Sequence, residues 1–346
     1  MKQVFRTSLT FVGAIVGAGL CSGREIVSFF GAFAATHLFV SLAVALLLGA
    51  GTAVIVRCCQ RFGLNSLGRL LSGRRTAQVF VMTCYLITVG SMLAGLDVLT
   101  GWPLPLCSIG TLVIGLIVTA KRFSGIAKAN SALVPLMVLA VLFVCLSADR
   151  TPALNSLSKT AEPNFWEAVK LLLYVSMNLF LALGVMTSAS EQLSPRQAVL
   201  SGALTGLLLF GLLYLLGRTL FVRPPQVTDA EMPLLALPKG PFSALLVRLL
   251  IWSAVFTTLL SALLPLTEFA GEFLPRHPSA AVGAAGFLLS RLGFSEIVAA
   301  LYPVMGGVGA LFFLLFLRPP RAAPSEAVPE PVPRLFGRRT KRAPPG

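Results

Sequence analysis

Residues Phe5 to Phe33 form one long apolar run, with Gly13, Gly17, Gly19 and Gly23 in its middle and Arg24–Glu25 directly after them. About 20 apolar residues cross the hydrocarbon core of a bilayer, so length alone reads as a membrane span. Its interior argues against a plain anchor. Each glycine lowers helix stability by about 1 kcal/mol relative to alanine, and charge at depth is costly in lipid. A helix weakened where the bilayer demands most of it lines a site, and that points to transport. Close helix packing is the alternative, since Gly13 and Gly17 also have the GxxxG spacing. Lys2 and Arg6 ahead of the run suit a signal peptide, but the run outlasts an h-region, so a retained first span is expected.

Composition agrees with a membrane protein. Charged residues are 12% of the chain, against about 25% in a soluble domain. The net charge of +15 does not indicate nucleic-acid binding, because the basic residues fall between apolar runs and in the tail. Six cysteines without a CxxC pair, and two histidines, give neither a disulfide framework nor a zinc site. No HExxH, GxSxG or P-loop is present, and Gly17-x-Gly19-x-x-x-Gly23 follows no strand, so a dinucleotide loop is excluded. An enzyme is not expected.

Hydropathy divides the chain into about ten spans: 5–31, 35–56, 77–99, 104–120, 130–148, 165–190, 197–221, 241–271, 278–292 and 294–317. The fold class is therefore an all-α polytopic membrane protein. Lys2, Arg6, Arg57, Arg61, Arg69, Arg74, Arg75, Lys121, Arg122 and Lys128 fall on one side, with Arg196, Arg276 and the tail cations. The opposite loops hold only Arg150, Lys159, Arg218, Arg223 and Lys239. Positive-inside bias places both termini in the cytoplasm. Leucines 64, 67, 70 and 71 suit a short interfacial helix within 63–75, or a solvated loop. Residues 223–240 are read as a cap over the outer mouth, and 318–346 as a disordered, basic, proline-rich tail.

The membrane domain, 1–317, splits into a first half, 5–148, and a second, 165–317. In the second half Ser176, Met177 and Asn178 interrupt the leucine-rich opening span, as the glycines do in the first. Interrupted spans at matching positions of two halves are the sequence pointer to a transporter site. Each half holds an odd number of spans, so the second is inverted relative to the first.

Unwinding at Val16–Gly19 would free carbonyls for a cation and N–H groups for an anion. Gly17, Ala18 and Gly19 are thus candidate substrate-binding positions. Asn178 and Ser176 face them from the second break, with Tyr85 either lining the cavity or filling it. Ala254, Thr257 and Thr258 share one helical face and offer hard oxygens to a small cation together with Gly13 and Val16. The same threonines could instead bond back to their own helix. Arg24 and Glu25 are candidate gate residues, with Glu296 as a partner for Arg24; a structural salt bridge is the other reading.

The segments Val16-Gly-Ala-Gly-Leu-Cys-Ser-Gly-Arg-Glu-Ile26, Gly125-Ile-Ala-Lys-Ala-Asn130 and Tyr174-Val-Ser-Met-Asn178 carry a family resemblance. Glu231-Met-Pro233, Phe256-Thr-Thr258 and Leu301-Tyr-Pro303 continue it across about 10–317. In these the chain resembles the YkvI-type bacterial membrane proteins, a branch of the amino acid–polyamine–organocation (APC) transporter superfamily. Arg24 departs from the glutamine-like or lysine residue common there. The resemblance implies a LeuT-type five-plus-five inverted repeat with discontinuous first and sixth helices, in a bacterial plasma (inner) membrane. It also implies a sodium ion held at Gly13, Val16, Ala254, Thr257 and Thr258, and no other cofactor. The function it implies is sodium-coupled transport (symport) of an amino acid or similar solute. The rival reading is a solute sensor or scaffold acting through the tail Ala322–Gly346.

Overall fold

In lipid every backbone polar group must be satisfied within its own segment, so apolar runs of this length become helices. A computed structural model of the chain describes residues 1–71, 75–101, 105–147, 164–223, 225–238, 240–274, 276–292 and 304–314. The helices run α1 (Lys2–Ile15), α2 (Ala18–Ser22), α3 (Arg24–Phe30), α4 (His37–Phe62), α5 (Leu67–Leu70), α6 (Arg75–Thr100) and α7 (Leu106–Thr119). They continue with α8 (Arg122–Ser147), α9 (Phe165–Ser190), α10 (Pro195–Leu220), α11 (Pro225–Thr228), α12 (Pro241–Phe273), α13 (Pro278–Ser290) and α14 (Val304–Leu314). Among the described residues six apolar stretches are long enough to cross a membrane, counting Arg24–Phe62 as one. α7, α13 and α14 are apolar but shorter. The expected Glu296, the segment Leu301–Pro303 and the tail lie outside the described residues.

The first span is interrupted. α1 ends at Ile15, Val16 (ψ 93°) and Gly17 (ψ −174°) are extended, and α2 begins at Ala18. A second interruption follows at Gly23, whose φ of 86° is left-handed and favours glycine. A Cβ there would also lie 2.6 Å from a Leu220 methyl and 3.0 Å from one of Leu234. Leu234 belongs to the short 3₁₀ turn Pro233–Ala236, so part of the 223–240 segment sits directly on the first span.

The expected break in the sixth span is not there. α9 is one helix from Phe165 to Ser190, capped by the Asn164 side chain accepting from the Glu167 N–H. The polar residues read as breakers bond back to their own helix. Ser176 Oγ donates to Leu172 O at 2.9 Å, and Asn178 Nδ2 donates to Tyr174 O at 2.9 Å. Such back-bonding satisfies the side chain without freeing the main chain. Gly184 serves close packing: a Cβ there would sit 2.8 Å from Pro265 Cγ of α12.

Two ends of the bundle are defined by contacts between segment ends. At one, Gln3 donates to Gln192 O and Arg6 to Ser124 O, drawing the start of α1 to the end of α9 and the start of α8. Asn65 bonds Glu191 at the same end, and α5 packs there with Leu67 buried. At the other end Arg291 pairs with Asp97, which also accepts from Ser108, and Arg248 donates to Leu99 O. Asp97 is therefore engaged on both carboxylate oxygens.

Lipid tails are as apolar as leucine, so helices associate in a membrane through close packing. α4 and α10 do this backbone to backbone: a Cβ on Gly49 would lie 2.8 Å from Gly202 O, and one on Gly206 would lie 2.8 Å from Ala45 O. α12 runs through the centre of the bundle and touches α1, α2, α6, α7, α8, α9 and α13. Its most apolar window is 89% buried, so its hydroxyls face protein rather than lipid.

Candidate functional site

Gly17, at the break, opens on a small cavity between α1, α3, α6, α9, α12 and α14. Its polar lining comes from Gly17, Glu25, Thr88, Ser91, Asn178 and Thr258. Ile15, Met92, Leu181 and Met305 form its apolar walls. The walls stand so close that only a water or two fits between them. This conformer is closed around its centre.

The Val16 carbonyl, released from the α-helical ladder by the break, accepts from Thr258 Oγ1 at 3.2 Å. The neighbouring Thr257 Oγ1 donates to Ala254 O at 3.0 Å. Of the five residues expected to hold a cation, Val16 and Thr258 thus meet across the break, whereas Thr257 bonds back within α12, the alternative reading; these residues and Ala254 are all buried. Hydroxyl and carbonyl oxygens are the donors that hard monovalent cations take, so the residues present fit such an ion. The fifth, Gly13, packs elsewhere: a Cβ on it would lie 2.8 Å from Asn130 Nδ2, and Asn130 donates to Thr10 O. Its absent side chain lets α8 approach α1.

Of the expected substrate residues, Gly17 and Asn178 line the cavity and the others do not. Ala18 is buried without lining it. Ser176 lies against α14, where a Cβ on Gly309 would run into the Ser176 carbonyl. Gly19 sits under Glu25, where a Cβ would lie 2.7 Å from the carboxylate carbon.

Tyr85 is fully buried and its hydroxyl is committed to α9. It donates to Phe180 O at 2.7 Å and accepts from the Gly184 N–H at 3.3 Å. Those two groups are an i, i+4 pair, so the α6 hydroxyl bridges one turn of α9. Tyr85→Phe removes both contacts. The expected cost is about 1 kcal/mol, read as a fall in melting temperature of about 2 °C.

The expected gate pair separates. Arg24 is exposed, whereas Glu25, the next residue, is 5% exposed and turned into the cavity. Adjacent residues on a helix do not share a face. The pairing of Arg24 with Glu296 lies outside the described residues.

Two residues that line the cavity, Thr88 and Ser91, are not among the site residues expected from sequence. Both stand on the Tyr85 face of α6 at helical spacing, a small-polar stripe inside an apolar span, and that stripe was the available signal. The Arg291–Asp97 pair carried no local signal, since its members are far apart in the chain.

No protein-family profile matches the chain. It is 26% identical to the uncharacterized membrane protein YkvI of Bacillus subtilis (strain 168) over 332 residues, covering 91% of this chain and 96% of that one. It is also 26% identical to the uncharacterized protein YyaD of the same organism, covering 86% of this chain and 91% of that protein. Among solved structures it is similar to MhsT in complex with L-phenylalanine, with a TM-score of 0.60 at 15% identity, covering 90% of this chain and 88% of that chain. A second similar structure is Mhp1, a nucleobase-cation-symport-1 family transporter with bromovinylhydantoin bound (TM-score 0.50, 14% identity, 90% and 78% covered). The chain is therefore YkvI-like in sequence, and its fold is the LeuT-type fold of these structures.

Proposed function

We propose that the protein is a secondary transporter, a carrier rather than an enzyme, that moves an amino acid or similar small organic solute by alternating access with sodium as the coupling ion. The observation that carries this reading is the break at Val16–Gly17, which opens a buried span onto a small cavity with polar groups from four helices. MhsT and Mhp1, whose fold the chain shares, were each solved with a small organic molecule. In this reading the short apolar helices and the interrupted first helix complete ten spans. Both termini lie on the cytoplasmic face of a bacterial plasma membrane.

Gly17 contributes a bare peptide group and Asn178 a side-chain amide to the solute. Val16, Thr257, Thr258 and Ala254 would hold the ion, which supplies the free energy of its gradient. Closed walls of this kind exclude water from a bound solute, and rocking one bundle against the other would expose it to either side.

The test is a thermal-shift screen of the purified protein against amino acids, with sodium chloride or choline chloride. A ligand that binds the folded state stabilises it by RT ln(1 + [L]/Kd). At least one amino acid is expected to raise the melting temperature, and more so with sodium. No shift from any solute in either salt contradicts the proposal.

A further inference from the structure

Glu25 has no role in the solute site described above, yet it brings a carboxylate to the centre of the bundle. It is 5% exposed and lines the cavity. Two features of the chain put it there. Gly23 adopts the left-handed conformation that ends α2 and starts α3, setting Glu25 back towards α2. Gly19 then leaves the space that the carboxylate occupies, since any Cβ at that position would overlap it. Among the described lining residues Glu25 is the one ionisable side chain.

A second observation points to a ligand independently. Ser91 lines the same cavity at 2% exposure, and its hydroxyl has no hydrogen-bond partner among the described residues. A buried polar group of this kind is met by a bound molecule or a water. The apolar walls at Met92 and Leu181 suit a hydrocarbon body. A charge in a low-dielectric cavity acts far more strongly than in water.

We propose that Glu25 receives the ammonium group of the solute, which makes amine-bearing molecules, zwitterionic or cationic, the substrate class. This rests on the reading of the cavity as a solute site. The shared chemistry is a monovalent cationic group. We assign it to the solute amine, since the oxygens of Val16, Ala254, Thr257 and Thr258 offer an alkali ion neutral ligands of its own.

The experiment compares three matched solutes on the full-length purified protein: L-leucine, 3-methylbutylamine and 4-methylpentanoate. Binding is read by thermal shift in sodium chloride and in choline chloride. L-leucine and 3-methylbutylamine are expected to bind at least tenfold more tightly than the acid, and Glu25→Gln is expected to erase that preference. The wild-type comparison of amines with acid is decisive without the variant, so the proposal stays testable should Glu25→Gln not fold. It is overturned if the acid binds as well as the amines, if none of the three binds, or if the variant keeps the preference. It is also overturned if sodium shifts wild type but not Glu25→Gln with no amine present, which makes Glu25 an ion ligand. Flux is scored separately: Glu25-dependent amine binding without flux rejects the transporter and leaves this assignment standing. Flux of a solute with unchanged Glu25→Gln selectivity does the reverse.

Discussion

Replacing Thr258 by valine is expected to weaken sodium activation of solute binding at least tenfold while leaving a folded protein. Valine keeps the shape of threonine and removes the hydroxyl that now donates to Val16 O at 3.2 Å. A typical hydrogen bond contributes about 1 kcal/mol to stability, so the fold tolerates its loss. A tenfold loss of ion affinity corresponds to about 1.4 kcal/mol, a modest demand for one ligand in a small oxygen set. Ser261→Ala is the matched control. Its hydroxyl donates to Thr257 O within the same helix, one turn beyond that oxygen set, and its removal is expected to leave sodium activation unchanged. Wild-type sodium activation in the Thr258 variant removes the ion from this site.

Gly202→Leu is expected to abolish recovery of monodisperse protein. The position faces α4 without clearance: a Cβ would lie 2.8 Å from Ala53 Cβ and 3.0 Å from the Ala53 backbone nitrogen. Ordinary overpacking costs about 1–3 kcal/mol because neighbouring side chains shift. Here the obstruction is main chain on both helices, so α4 and α10 would have to separate along their length. Gly211 lies on the same helix, and a Cβ there meets nothing within 4 Å. Gly211→Leu is therefore expected to elute and melt like wild type in detergent. If both variants behave alike, the glycine-on-glycine contact does not hold α4 to α10.

The difference between the two opening spans shows what a sequence can reveal about a break. At Gly13–Gly19 three glycines lower helix propensity, so the weakness is written in their covalent structure and the interruption at Val16–Gly17 was legible. At Ser176–Asn178 the polarity was real but inward-looking, since both side chains found acceptors one turn back in α9. Hydropathy registers a polar residue and not the direction of its hydrogen bond. Tyr85 makes the same point from outside the helix. Its hydroxyl bridges Phe180 O and the Gly184 N–H of α9, a contact between helices that no local pattern announces.

Thr257 and Thr258 were legible as the i+3 and i+4 neighbours of Ala254; the structure sets Thr258 against Val16, while Thr257 bonds back to Ala254 O within α12. Charge within a span was equally visible at Arg24–Glu25. Which of the two turned inward depended on Gly19 and Gly23, through shape rather than charge.

The proposed function stands or falls on whether a solute that enters at the opened first span crosses the membrane. Reconstituted protein should be given radiolabelled L-leucine, or the amino acid that scores highest in the thermal-shift screen, under an inward sodium gradient. Accumulation above the outside concentration is expected, and it should collapse when an ionophore dissipates the gradient. Saturable binding with no movement into the lumen, whatever the gradient, would contradict it.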